Sequence, residues 1–547
     1  MAVAVKDIRA AARQGFGYHR LRAGQQEAIA ALAEGRDVVA VMPTGFGKSA
    51  IYQVAGLLVD GPTVVVSPLI ALQHDQVATI IEDGAGGAAV ANSTLSAGAR
   101  RAALDEVGEG NVEFLFLAPE QFANADTMGA LRANPPSLFV VDEAHCISAW
   151  GHDFRPSYLH LAPVLAELGH PRVLALTATA APPVREEIVA RLGLDDPLVI
   201  VKGFDRPNIS LVVERHADGR RRDEALLSAA AAAPKPSIVY AATRRRAEEL
   251  GAALAARGVA TGVYHGGLAA RRRAEVQDRF MAGDLEVIAA TNAFGLGIDK
   301  ADVRFVLHAE PPESLDAYYQ EVGRAGRDGE PAEAVLFWRA EDLGMRRFFA
   351  TGPRLERPEL ERVARAAVEA GPAGLLLVAL ADAAGLRPGR AAAAVGWLAR
   401  EGAVAVGPGG EPVRATGAVS PEAAGKAAAA AAAARRRLDQ SRVEMVRSYA
   451  ESRGCRRQLL LGYFGEPFQP PCGACDNCRR GAAPPAGGHG PFAVGDRVAH
   501  RSLGEGTVTG VEDGKLVVLF EDRGYATLDA GHVVAEGLLS VVGQARG

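Results

Sequence analysis

Residues 37–49 read Asp37-Val38-Val39-Ala40-Val41-Met42-Pro43-Thr44-Gly45-Phe46-Gly47-Lys48-Ser49. An apolar β-branched run ends in a glycine-bearing loop, then Lys-Ser, then a helical pattern. That order is a buried strand delivering a phosphate loop to a helix N-terminus. Glycines let backbone N–H groups curl around phosphate oxygens, and the helix start adds favourable partial charge. Lys48 is placed to reach the β and γ phosphates and Ser49 to hold Mg²⁺, with Thr44, Gly45 and Gly47 shaping the cradle. The strict pattern has glycine where Met42 stands, so the match is to its C-terminal half.

Working outward, runs of the same kind recur at 63–67, 114–118, 137–142, 173–177 and 198–202. A second set lies at 237–241, 261–264, 287–290, 304–308 and 334–337. Helical segments separate them. Continuous apolar strands with helical crossovers predict parallel sheets covered on both faces, in two domains meeting near Gly203–Asn208. Ligands of such sheets bind beyond the carboxyl ends of the strands. There the strand 137–141 delivers Asp142-Glu143-Ala144-His145. Asp142 is the candidate Mg²⁺ group and Glu143 the group that orients and activates a water. Arg324 and Arg327, three apart on a predicted helical face, are placed to close on the γ phosphate from the second domain.

Composition sets the limits. With 60 basic and 65 acidic residues the 547-residue chain carries a formal charge of −5, which excludes a polybasic binder but leaves room for a local groove. A hydrophobic content of 48% is that of a globular chain. No run of 18 apolar residues occurs and the first residues carry no secretory pattern, so neither membrane nor export is expected. The bases are mostly arginine and alanine runs recur, so arginine abundance alone says little about nucleic acid.

Four of the five cysteines, Cys455, Cys472, Cys475 and Cys478, crowd together, which reads as a metal site in a reducing compartment. Tandem Cys-x-x-Cys steps suit tetrahedral structural Zn²⁺. An iron–sulfur cluster satisfies the same spacing. Residues 431–480 hold ten arginines against five acids.

These residues together resemble the superfamily 2 helicases, and more narrowly the RecQ DNA helicases. The resemblance runs from Phe16 to about Phe349 and resumes from Leu438 to Cys478. Leu21-Arg22-Ala23-Gly24-Gln25 is similar to the family's adenine-reading motif and implies that Arg22 and Gln25 hold the base of ATP. Ser67-Pro68-Leu69-Ile70-Ala71-Leu72 resembles the first DNA-contacting motif. Thr177-Ala178-Thr179 resembles the motif that couples hydrolysis to DNA, and His145 belongs to the same implied coupling set. Phe294-Gly295-Leu296-Gly297-Ile298-Asp299-Lys300 resembles the motif before the arginines, which implies that Asp299 faces ATP. The segment 146–156 resembles the family's aromatic-rich loop that senses single-stranded DNA. Trp150 and Phe154 offer stacking faces and Arg155 a phosphate contact. Ala149 and Gln121 stand where the family usually has Gln and often Arg.

Between 353 and 432 the chain departs from the usual bacterial pattern. Residues 359–370, 374–384 and 390–401 read as three helices and 402–413 as a hairpin. This resembles a helix-turn-helix with a wing; a purely structural bundle fits equally well. Gly481–Pro491 reads as a linker. Beyond it, short alternating strands with an Asp513-Gly514 turn predict a small barrel, similar to Tudor-like barrels, as a surface for protein or nucleic acid. The family's usual winged helix after the cysteines and its terminal HRDC domain find no counterpart in 483–547.

The expected architecture is therefore α/β. Two RecA-like domains (1–202 and 203–352) are followed by a winged-helix-like segment (353–432) and a zinc subdomain (433–482). A linker (483–493) leads to the barrel (494–547). The resemblance implies an ATP-, Mg²⁺- and Zn²⁺-using 3′-to-5′ DNA helicase of repair or recombination. It implies action on single-stranded, tailed or branched DNA in a bacterial cytoplasm, near the nucleoid. An RNA helicase, and a translocase that displaces proteins without separating strands, remain open alternatives.

Overall fold

The structure, a computed structural model, describes residues 4–543 except 69, 85, 93–94, 149–154, 296–299, 352–353, 407–411, 482–490, 513 and 522. Among the described residues no helix is long and apolar enough to cross a membrane.

The first sheet has seven strands: β1 (Val38–Val41), β2 (Thr63–Val66), β3 (Ala88–Ala91), β4 (Phe114–Leu117), β5 (Leu138–Val141), β6 (Arg172–Thr177) and β7 (Leu198–Val201). Their order is β3-β4-β2-β5-β6-β1-β7, and every pairing is parallel. The second sheet comprises β8 (Ile209–Arg215), β9 (Ser237–Tyr240), β10 (Thr261–Tyr264), β11 (Val287–Ala290), β12 (Phe305–His308) and β13 (Ala332–Trp338). Its order is β10-β11-β9-β12-β13-β8, again all parallel. Central strands such as Val38–Val41 and Leu138–Val141 are buried throughout, which is why they read as unbroken apolar runs. Two strands had no such signal. Ala88–Ala91 is an alanine-rich edge strand, half-buried at its start, and Ile209–Arg215 alternates buried and part-buried positions.

Three helices follow at Arg357–Glu369, Leu377–Ala383 and Pro388–Arg400, then an antiparallel hairpin of β14 (Val404–Val406) and β15 (Val413–Ala415). Leu375 bridges Val413 and adds a third extended segment, so the three helices and the hairpin expected here are present, an arrangement that both a winged helix-turn-helix and a structural bundle share. Two of its arginines are engaged within the segment itself. Arg390 is tied to Glu359 at 2.6 Å, and the Arg400 guanidinium lies 5.2 Å from the Trp397 ring centre.

A 31-residue helix, Pro421–Glu451, runs from this segment into the cysteine-bearing region, so the expected boundary at 432/433 falls inside one element. Ala424 and Ala428 pack in the winged-helix core, and Val443, Val446, Tyr449 and Ala450 pack with the helicase lobes.

The expected barrel takes the form of a five-stranded antiparallel sheet. Its strands are β16 (Arg497–His500), β17 (Gly504–Glu512), β18 (Lys515–Phe520), β19 (Gly524–Asp529) and β20 (Leu539–Gly543), in the order β19-β18-β17-β16-β20. Glu512 pairs with Lys515 at the end of the β17–β18 ladder. The sheet is not a free appendage. Gly524, at φ +80°, lies so close to the long helix that a Cβ there would meet Ser441 Oγ at 2.4 Å.

Candidate active site and metal centre

The phosphate loop leaves β1 and enters the helix Ser49–Gly56. Gly45 and Gly47 take φ of +77° and +79°, a region that favours glycine, and a Cβ on Gly47 would stand 2.9 Å from Gln25 Nε2. Gln25 is buried and donates to the Phe46 and Gly47 carbonyls at 2.9 and 2.8 Å. Arg22 stacks over Phe46 and donates to the Gly45 carbonyl at 3.2 Å. The pair expected to read a base therefore also clasps the loop expected to hold phosphate.

Lys48 donates to the Met42 carbonyl at 3.3 Å. Burial in the cleft holds its ammonium below the usual lysine range, against the pull of Glu143 and Asp142. Asp142 accepts from Ser67 Oγ at 3.1 Å. Burial, and then the Glu143 carboxylate beside it, push Asp142 up to about 6 against the pull of Lys48. Glu143 occupies the left-handed region at φ +47°, an unfavourable backbone for a residue with a Cβ. This turn aims its side chain along the strand end into the cleft.

Sequence periodicity places Arg324 and Arg327 on a helix. The structure corrects this: the helix is Leu315–Val322, and both arginines lie in the turn after it. Gly326 at φ +55° is incompatible with continuing helix. Both arginines nevertheless line the same cleft of about 190 Å³ as Thr44, Gly45, Gly47, Lys48, Ser49, Asp142 and Glu143. Arg324 donates to the Gly295 carbonyl.

Sequence reasoning assigned no role to Arg206, which ties the lobes together at this point. Its guanidinium donates to the carbonyls of Gly323 (3.0 Å), Ala325 (2.9 Å), Gly326 (2.9 Å) and Thr44 (3.4 Å). It thus holds the arginine-bearing turn against the phosphate loop, and Thr44 Oγ1 adds a bond to the Gly323 carbonyl at 3.0 Å. Gln320 was also missed. Its amide donates to Thr179 Oγ1 across the lobes at 3.2 Å. Thr179 N–H donates to Thr177 Oγ1 (3.2 Å), which lies 2.9 Å from His145 Nδ1, itself 3.3 Å from Glu143. A polar path therefore joins Glu143, the carboxylate expected to activate a water, to the second lobe through the three residues expected to couple hydrolysis to DNA.

Arg155 donates to the Pro68 carbonyl at 3.4 Å, so it touches the segment that resembles a first DNA-contacting motif. Trp150, Phe154 and Asp299 lie outside the described residues.

The four cysteine Sγ atoms lie within 4.8 Å of one another. Zn–S bonds of about 2.3 Å imply a tetrahedron edge of about 3.8 Å, and Cys472 and Cys478 stand 3.9 Å apart. The N–H groups of Cys475 and Cys478 point at the sulfurs of Cys472 and Cys475 (3.3 and 3.4 Å). Hydrogen bonds among the thiols drive Cys455 up and Cys475 down. The cluster fits a single tetrahedral ion; an iron–sulfur cluster would spread the sulfurs further. Cys455 sits just before the helix Arg456–Tyr463 rather than within it.

Two parallel-sheet lobes, one carrying a phosphate loop and an Asp-Glu pair and the other an arginine pair across a shared cleft, define a superfamily 2 helicase core. Comparison with known proteins agrees. The DEAD/DEAH box helicase model matches residues 22–188 and the helicase conserved C-terminal domain 221–329. The RecQ zinc-binding model matches 422–479. The chain is 41% identical over 324 residues to the probable ATP-dependent DNA helicase RecS of Bacillus subtilis, covering 59% of this chain and 65% of that protein. It is 43% identical over 336 residues to ATP-dependent DNA helicase RecQ of the same organism (61% and 56%). It is 33% identical over 464 residues to RecQ of Pasteurella multocida (85% and 61%). The chain thus spans between 56% and 65% of the length of these relatives. Among solved structures, Mycobacterium smegmatis helicase Lhr bound to ssDNA and AMP-PNP aligns with TM-score 0.50 and 23% identity over 79% of this chain and 61% of that one. DEAD-box helicase Mss116 bound to ssRNA and UDP-BeF aligns at 0.52 and 18% over 64% and 76%. Over its two lobes and its cysteine region the chain is therefore similar to the RecQ helicases.

Proposed function

We propose that this protein is an ATP-dependent DNA helicase that moves 3′ to 5′ on single-stranded DNA and opens tailed or branched duplexes in repair or recombination. One observation carries the reading: Lys48, Ser49, Asp142 and Glu143 of one lobe and Arg324 and Arg327 of the other line a single cleft.

In this reading the phosphate loop and Lys48 bind the β and γ phosphates, and Arg22 and Gln25 hold the base while steadying the loop. Ser49 and Asp142 hold Mg²⁺, which supplies charge neutralisation across the phosphates when bound; Asp299 completes the ATP-facing set. Glu143 accepts the proton of the attacking water. Arg324 and Arg327 neutralise charge as the γ phosphate leaves. Loss of that charge frees the turn held by Arg206, and the lobes part. The path Glu143–His145–Thr177–Thr179–Gln320 carries the state of the cleft to the DNA track, where Trp150, Phe154 and Arg155 stack on and pair with the strand. Zn²⁺ on Cys455, Cys472, Cys475 and Cys478 is structural and holds the knuckle closed. The terminal sheet leaves a face for a protein partner. The lobes are 1–202 and 203–352, and cytoplasmic action at the nucleoid follows from the substrate.

The test is unwinding of 3′-tailed, 5′-tailed and forked duplexes with ATP, alongside ATPase stimulation by DNA and RNA oligonucleotides. Selective opening of 3′-tailed and forked DNA is expected. Stimulation by RNA alone, or turnover with no strand separation on any substrate, would replace the reading with one of its rivals.

A further inference from the structure

The helix Leu315–Val322 is gripped at several points, and they identify what sets the position of the arginines. At its C-terminal end Gln320 meets Thr179, and Gly323 meets Thr44 and Arg206. At its middle Tyr319 OH donates to the Phe204 carbonyl at 2.8 Å, in the segment joining the lobes. At its start Tyr318 OH lies 3.4 Å from Tyr449 OH of the long helix.

Asp316, also in the first turn, is buried and accepts from Tyr463 OH of the zinc subdomain. The Tyr463 ring is held in turn by Tyr525 of the terminal sheet, stacked at 4.9 Å and 19°. Burial, and then the Asp316 carboxylate, keep the Tyr463 hydroxyl protonated, so it donates. Tyr525 N–H donates to Ser441 Oγ at 3.0 Å, which anchors β19 on the long helix. Arg442, fully buried in its side chain, faces Tyr463, Asp316, Asp439 and Tyr525 and balances the carboxylate charge. The zinc subdomain and terminal sheet meet again where Gly462 lies against the Thr509 carbonyl; a Cβ there would stand 2.6 Å from it.

We propose that Tyr525 is a positioning residue for ATP hydrolysis, holding through Tyr463 and Asp316 the helix whose following turn presents Arg324 and Arg327. The terminal sheet is then part of the motor, and whatever binds it acts on the ATP cleft. This rests on the reading of those arginines as groups that stabilise the leaving phosphate. The physical basis is stiffness. Asp316 lies in the first turn of an eight-residue helix, and the turn that carries Arg324 leaves its other end, so a tilt at one end displaces the other. A displacement of about 1 Å at a reacting group costs up to about 100-fold in rate.

The experiment uses the full chain and reads kcat and KM for ATP at saturating single-stranded DNA, together with bound zinc. Tyr525→Ala is expected to lower kcat by about 5- to 100-fold, with KM for ATP and zinc content unchanged. Tyr525→Phe, which keeps the stacked ring, is expected to restore kcat. Val542→Ser, on an exposed position of the same sheet, is expected to leave kcat as it was. Tyr463→Phe keeps every ring and removes only the hydroxyl on Asp316; it is expected to lower kcat alone and to add nothing to Tyr525→Ala. Unchanged kcat in a zinc-replete Tyr525→Ala protein overturns the proposal, as does a multiplicative double variant. If Tyr525→Ala loses zinc, Tyr463→Phe decides by itself: lowered kcat supports the proposal and unchanged kcat overturns it. Arg327→Ala separates the two readings. Retained turnover there refutes the role of the arginines, whatever Tyr525 does.

Discussion

Replacing Arg206 with alanine tests the clasp between the lobes most directly. The guanidinium makes three short bonds, at 3.0, 2.9 and 2.9 Å, to carbonyls of the turn that carries Arg324 and Arg327. A longer one at 3.4 Å reaches the phosphate loop. At about 1 kcal/mol net for each short bond, the seating of the arginine-bearing turn loses about 3 kcal/mol, or about 2 if water replaces one partner. With every 1.36 kcal/mol worth tenfold in rate, kcat falls by about 30- to 150-fold. Arg206→Lys is expected to rescue little, because a compact ammonium cannot span these carbonyls at once. Steady-state ATPase at saturating DNA reads the effect, with nucleotide affinity measured separately. An Arg206→Ala protein that turns over like the parent would refute the clasp and show that the lobes are aligned elsewhere.

Lys48→Ala is expected to abolish turnover while DNA binding persists; residual ATPase would contradict the phosphate-loop assignment. Cys475→Ser is expected to lose bound zinc and to lower soluble yield, checked by metal analysis of the purified chain. Gln320→Ala is expected to weaken stimulation by DNA more than the DNA-free rate, since it removes the bond to Thr179 that carries the polar path across the lobes. Glu113 supplies a pH test. Burial pushes it up to about 7 from an ordinary value of 4.5, and its Oε1 is buried with no hydrogen-bond partner among the described residues. The fold therefore prefers the protonated form: stability is greatest below pH 4.5 on this account and declines as pH rises through about 7. Glu113→Gln is expected to raise the stability at pH 8 and not at pH 5, by on the order of 1–2 kcal/mol after allowance for solvent, read as a higher melting temperature at pH 8. An equal shift at both values would exclude burial of the charge as the cause.

What could be read from the chain was whatever chemistry writes locally. Asp37–Met42 into Gly47-Lys48-Ser49, the Asp142–Glu143 pair at a strand end and the tandem Cys-x-x-Cys steps each carry their meaning within a few residues. The edge strand Ala88–Ala91 was invisible because alanine has little strand preference and an edge need not be apolar on both faces. The arginine turn was misread as helix because three-residue spacing fits both; only the positive φ at Gly326 tells them apart. Arg206 and Gln320 act on carbonyls and hydroxyls more than a hundred positions away, and no periodicity announces such a partner. For the same reason the terminal strands were legible as strands while their docking on Ser441 and Tyr463 was not. The residues of the aromatic loop, Trp150 and Phe154, were legible only through family likeness.

The alanine-rich rod Pro421–Glu451 is about 46 Å long at 1.5 Å per residue. Its first half is lodged in one cluster of apolar residues and its second half in another. Neither cluster can melt without stripping a flank from the other. Chelation of the knuckle is therefore a long-distance insult: calorimetry should record winged helix and cysteine region dissolving in a single merged endotherm, not as successive events.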